Sequence, residues 1–182
     1  MKKISGAELL AQYASGKRDF SEVDISEADL FEANLQGIDL TGSKLQKTYL
    51  PYSNLSQAGL QQAQLQSAQL SDAQLYHANL SEANLRQANL FRATLRRANL
   101  RGANLENANL QGADLGNADL SGANLSNADL SGANLDRANL TQAQLSGSNL
   151  FRTQNVDFSN AYLDSSTIYP NGHRPDNLQA KE

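Results

Sequence analysis

Cysteine and tryptophan are absent from the 182-residue chain, methionine occurs once, histidine twice and proline three times. Without cysteine there is no disulfide framework, no thiolate nucleophile and no Cys-based metal site, a composition that suits a reducing compartment. Long apolar runs are missing as well. No segment approaches the length needed to span a bilayer, and the opening MKKISGAELL lacks the apolar stretch and small-residue cleavage site of a secretory signal. The expectation is a soluble, cytoplasmic protein with no membrane partner. Aromatic residues make up only 6% of the chain, and a net charge of −4 argues neither for nucleic acid as a partner nor strongly against it. Leu and Ala supply nearly all of the apolar content, whereas a conventional globular core draws on more shapes.

What the chain does have is a period of five. From Phe20 to Leu150 every fifth residue is Phe, Ile or Leu, 27 positions without a gap. Two residues before these centres stands in most cases a small residue, which is Ala in 20 of the 27 units, and between them lies mostly Asn, Asp or Gln. A helix does not accommodate this spacing, because five steps of about 100° move successive leucines about 140° round the axis and define no face. A continuous strand fails too, since an odd period sends alternate leucines to opposite sides. Within one unit, however, Ala and Leu are two apart and share one side of a short extended segment. The remaining residues, rich in Ser, Gly, Asn and Gln, read as a corner. A chain that makes one side and one corner every five residues, with Ala and Leu always inward, must coil.

This A(N/D)LxX run, seen verbatim as ADLSG at 118–122 and 128–132, resembles the pentapeptide-repeat family, in its cyanobacterial, Rfr type. The resemblance covers roughly residues 18–168. It implies an all-β fold, a right-handed quadrilateral parallel β-helix, with about twenty residues per coil and the centre and the small residue pointing inward. Number of sides and handedness are what the resemblance implies; the coiling follows from the spacing.

Such a stack has two open ends that need covering. Ser5 and Glu8 have capping-box spacing, Leu9, Leu10 and Tyr13 form an apolar face, and Gly16 reads as a stop. A short N-terminal capping helix is therefore predicted over residues 5–15, within a capping segment 1–17. The β-helix follows over 18–170, and 171–182 is read as a polar, disordered tail. Near 152–157 the register breaks: position 155 is Asn, and the pattern resumes with Val156 and Phe158, Ala161 and Leu163, and then Ile168 as a centre. This reads as a bulge before a last partial coil closed by Tyr162, Ile168, Tyr169 and Pro170.

In a coil of twenty, residues twenty apart are vertical neighbours. That places Arg86 over Glu106, Asp72 beside Arg92, and Tyr76 and His77 beside Arg96 and Arg97, a placement that permits stacking of Tyr76 with a guanidinium. Phe31, Tyr52, Phe91 and Phe151 share one corner and read as scattered apolar spots several coils apart. Charge is banded: residues 17–40 carry −5, and residues 82–106 carry +3. The candidate site is a protein-interaction collar of Tyr76, His77, Arg86, Phe91, Arg92, Arg96, Arg97 and Arg101, rich in the aromatic and Arg content of binding hot spots. The plainer reading of the same residues is a solvated, patchy surface.

No phosphate-cradling loop, EF-hand or zinc signature occurs, and His77 and His173 are far apart in the chain. The expectation is no enzyme activity, no cofactor, no metal and no small-molecule substrate. Acidic bands on either side of the collar argue against nucleic acid. The chain reads as a scaffold or regulator that contacts an unidentified protein partner, as a monomer or weak homo-oligomer. The alternative is a DNA-mimic inhibitor or protector of a type II topoisomerase (gyrase). Leu centres in place of many Phe, and the arginine interruption, depart from what that role requires.

Overall fold

The protein is described by a computed structural model that covers residues 1–154 and 156–174. Its hydrogen bonds show how a five-residue unit becomes a coil. The N–H of each centre from Phe20 to Leu130 donates to the middle residue of the coil above, as Leu90 N does to Asn109 O at 2.7 Å. The middle N–H donates to the coil below, as Asn89 N does to Ala68 O at 2.9 Å. Together these bonds form isolated parallel bridges offset by twenty residues, from Asp19↔Asp39 to Asn134↔Gln154. Four units therefore make one turn of a β-helix solenoid, and each coil is completed only by its neighbours.

The corners are closed within the chain. The small residue's N–H returns to the carbonyl of the preceding centre, Ala93 N to Leu90 O at 3.0 Å. The second corner residue takes a left-handed φ at all 27 positions from Glu22 to Arg152, and only seven of these are Gly. Side chains of the middle residues support the same turn. The Asn89 Oδ1 accepts the Phe91 N–H at 3.2 Å, and the Asp119 Oδ1 accepts that of Ser121 at 3.0 Å.

Inside, the centres stack into a continuous column of buried Leu beside a column of buried Ala. Ala is replaced by a hydroxyl residue only where the hydroxyl finds a carbonyl. Ser43 donates to Phe20 O at 2.8 Å, Ser53 to Leu50 O at 2.7 Å and Ser148 to Leu145 O at 2.7 Å. All three are buried, and a hydroxyl without such an acceptor would leave a costly unpaired group.

At the N-terminus a two-residue strand not foreseen in the sequence, β1 (Lys2–Lys3), pairs in parallel with β2 (Val23–Asp24). It is followed by α1 (Gly6–Ala14), whose N-cap Ser5 accepts the Glu8 N–H at 3.1 Å. Glu8 does not complete a reciprocal capping box, because its carboxylate accepts from Lys2 and Gln12. Leu9 is fully buried and Tyr13 donates its hydroxyl to Gln36 O at 2.8 Å. Leu10, expected on the same apolar face, points outward instead. Gly6 lies against the first coil so closely that a Cβ there would sit 2.9 Å from Asp29 O.

Toward the C-terminus the bridge offset falls to eighteen at Gln144↔Tyr162 and is nineteen at Asn149↔Ile168. The coil is thus shortened between Gln154 and Tyr162, where a bulge would have lengthened it. One additional residue in the corner 164–166 recovers part of the loss. As a result Thr167 takes the inward small position, fully buried with its hydroxyl on Leu145 O at 2.9 Å. Ile168, read from the sequence as a centre, is a middle residue, and Tyr169 follows it half-buried, edge-on to Phe158 at 6.1 Å. The segment expected to begin a loose tail starts with a turn, in which Tyr169 N bonds to His173 O at 2.7 Å. The rest of that tail, from residue 175, and Asn155 lie outside the described residues.

Two outcomes follow from the coil. Leu90→Ala removes buried volume from the middle of the column and is expected to cost about 2–5 kcal/mol in chemical denaturation. Gly132 has φ +69° and open space where a Cβ would go, so Gly132→Ala isolates the backbone term. It is expected to cost about 1 kcal/mol, a fall in Tm of about 2–4 °C, with Gly132→Asn milder.

Candidate interaction surface

In a coil built this way, three positions per unit face outward: the middle residue and the two corner residues. The middle carboxylates are turn acceptors. Asp114 and Asp129 receive the N–H groups of Gly116 and Ser131 at 3.1 and 2.9 Å, and no group of three or more metal-ligating side chains occurs among the described residues. Burial alone would raise the Asp129 carboxyl, but hydrogen bonds from Gln111, Ser131 and Asn149 outweigh it and hold the group below the ordinary carboxylate range. Asp19, Asp157 and Asp164 are lowered too, each by the hydroxyl and N–H of the serine two residues on.

The corners carry the collar, and the register sends its members to all four. Arg86 faces Glu106 at 3.3 Å and Arg92 faces Asp72 at 3.2 Å, both pairs twenty residues apart as counted from the sequence. Phe91 is partly exposed beside Arg92, with the guanidinium 6.0 Å from its ring. Tyr76, His77, Arg96 and Arg97 share one corner in adjacent coils. There Tyr76 packs edge-on to His77 at 4.2 Å. The stack of Tyr76 on a guanidinium that this placement permits is not formed. The Arg96 guanidinium runs the other way, to Asp114 at 3.4 Å, across space left open by Gly116.

Three of the five collar arginines are therefore spent in ion pairs. Arg97 and Arg101, on successive corners, have no ion-pair partner among the described residues and remain the unneutralised charge. A shallow recess of about 410 Å³ begins at Arg101 and runs past Gly102, Ser121, Gly122, Thr141 and Gln142.

One surface was missed by counting along a single corner. Phe31 and Tyr52 lie one coil apart, not several, with ring centroids 5.9 Å apart and edge to face. Tyr49, from the adjoining side, stacks on Phe31 at 6.1 Å. Offsets of 21 and 18 residues carry the signal, since both differ little from the coil length.

The Pentapeptide repeats pattern matches this chain in eight copies, over residues 19–46, 38–75, 53–90, 68–107, 88–127 and 113–150. The chain belongs to the pentapeptide-repeat family. No curated protein sequence matches it. Among solved pentapeptide-repeat proteins it is similar to HetL of Nostoc sp. strain PCC 7120, involved in heterocyst differentiation regulation. That similarity is 31% identity over 94% of this chain and 99% of HetL, with a TM-score of 0.38. It is also similar to alr5209 of Nostoc PCC 7120, at 30% identity over 90% of this chain and 98% of that one, with a TM-score of 0.36. QnrB1, a plasmid-mediated fluoroquinolone resistance protein, is 19% identical over 90% of this chain and 89% of its own, with a TM-score of 0.47.

The lowered carboxyls make stability depend on pH in the acid range. A group lowered on folding contributes stability above its unfolded value, about pH 3.9, and loses it as pH falls through the folded value. The Tm is thus expected to hold from neutrality down to about pH 4 and to fall below it. Asp129→Asn, which keeps the turn acceptor, should flatten part of that fall when melting is followed against pH.

Proposed function

We propose that this chain is a non-catalytic interaction protein, a scaffold or regulator that works by presenting side chains from the corners of a rigid rod. In this reading the four-unit turn is a right-handed square coil, and α1 caps its first turn. The rod acts in the cytoplasm on a protein partner, with no small-molecule substrate. The observation that carries it is the pair Arg97 and Arg101, outward, unneutralised and on successive corners, with Tyr76 and His77 one coil away from Arg97. Arginine and aromatic side chains held on a stiff backbone lose little freedom when bound, which is what makes them effective at interfaces.

Gyrase mimicry has one feature in its favour, the −5 band of residues 17–40. A surface imitating DNA needs phosphate-like charge along its length, and here the collar breaks it. Above the collar the carboxylates of Asp114, Asp119 and Asp129 are drawn into turns.

Reversing Arg97 and Arg101 to Glu together is expected to remove partners captured by the wild-type chain from its native cell, with thermal unfolding unchanged. An unaltered set of partners overturns the collar reading. In a supercoiling assay the wild-type chain is expected to leave gyrase uninhibited and unprotected; clear inhibition would put the mimic reading first.

A further inference from the structure

Phe31 packs against both Tyr49 and Tyr52, the one group of three large aromatics linked by ring contacts among the described residues, and all three are open to solvent. Their exposures are 46%, 45% and 56%. Single exposed aromatics are common on protein surfaces, whereas three in contact form an apolar spot of the kind that marks a binding site. The coil has no structural need for them. Ser commonly fills the position of Phe31 in other units, as at Ser71 and Ser131, and Asn or Gln the position of Tyr49, as at Gln69 and Asn89. At Tyr52 a left-handed φ of 57° makes an aromatic side chain an unfavourable choice where Gly or Asn would sit at ease.

The charges round the cluster select its occupant. Asp29 stands directly below Tyr49 in the parallel bridge Asp29↔Tyr49. Glu32, whose N–H bonds to Pro51 O at 3.0 Å, lies below Tyr52. Neither carboxylate has an ion-pair partner among the described residues, and Asp29, whose Oδ1 accepts the Phe31 N–H at 3.1 Å, keeps its second oxygen outside the turn. Lys47, on the preceding corner, is engaged with Glu27 at 3.8 Å. The cluster therefore sits at the edge of the acidic band, with Phe31 inside it and Asp29 and Glu32 unneutralised, and residues 17–52 together carry −3. That field repels phosphate-bearing surfaces, both nucleic acid and anionic lipid, and attracts cations.

We propose that Phe31, Tyr49 and Tyr52, with Asp29 and Glu32, form a docking site for a basic segment of a partner protein, which seats an arginine or lysine side chain against the aromatic rings. A guanidinium over the ring faces gains the cation–π attraction, and its N–H groups meet the carboxylates in charge-assisted hydrogen bonds. The site shares with the proposed function the premise that the rod acts by contact, but it uses none of the collar's residues, so each surface can fail without the other.

The test uses the full chain and two capped octapeptides, alternating Arg and Ala or alternating Glu and Ala, titrated by calorimetry at low salt. The Arg–Ala peptide is expected to bind and the Glu–Ala peptide not to. The double variant Phe31→Ser with Tyr52→Asn, which places residues well suited to those corners, should weaken Arg–Ala binding about tenfold with Tm unchanged or raised. Glu32→Gln should weaken it several-fold, and Arg97→Glu with Arg101→Glu should not weaken it. Equal binding by the aromatic double variant overturns the site, because charge alone would then account for the affinity. So does equal binding of the Glu–Ala peptide. Sedimentation showing a wild-type dimer that the double variant abolishes would also overturn it, by assigning the cluster to a second copy of the chain.

Discussion

Every feature of this protein depends on the twenty-residue register between coils, in which a centre's N–H meets the middle carbonyl above while its side chain enters a shared dry column. One coil alone has neither partners for its backbone nor cover for its leucines, so hydrogen bonding and burial are gained together by stacking or not at all. The interior is narrow, and each side admits one large and one small side chain. That is why Leu and Ala dominate the inward positions and why Ser or Thr enters only with a backbone carbonyl to bond, in the coil below at Ser43 and in its own turn at Ser148.

The same constraint limits where recognition can reside. Inward positions are closed, and the middle Asn and Asp side chains are largely engaged in their own turns, which explains their interchange along the chain without any acid–base chemistry. The corners are left. Their second residue is held at a left-handed φ throughout, usually by a non-Gly side chain. Side chains there are projected from a stiff frame at regular intervals, and the chemistry of the rod is set by which residues occupy those places.

Much of this was legible in the residues. The unbroken Leu spacing implied the coil, and the twenty-residue offset located the ion pairs of Arg86 with Glu106 and Arg92 with Asp72. The errors share one origin, a vertical count applied without the competing side chains around it. Tyr76 lacks its guanidinium because Asp114 and the opening at Gly116 draw Arg96 upward. Phe31 and Tyr52 looked separate because they were grouped by corner alone, and Tyr49 was overlooked because it belongs to the adjoining side. Ile168 shifted from centre to middle because the shortened coil and the longer corner at 164–166 change the count on which that assignment relied.

The sequence alone determined the period, the inward and outward faces and the need to coil, because these follow from local geometry repeated identically along the chain. Only the tertiary structure decided which arginines remain unneutralised, which aromatics touch and how the last coil closes. Those outcomes depend on long side chains choosing among several neighbours in adjacent coils, and on irregular corners where a repeat no longer dictates the register.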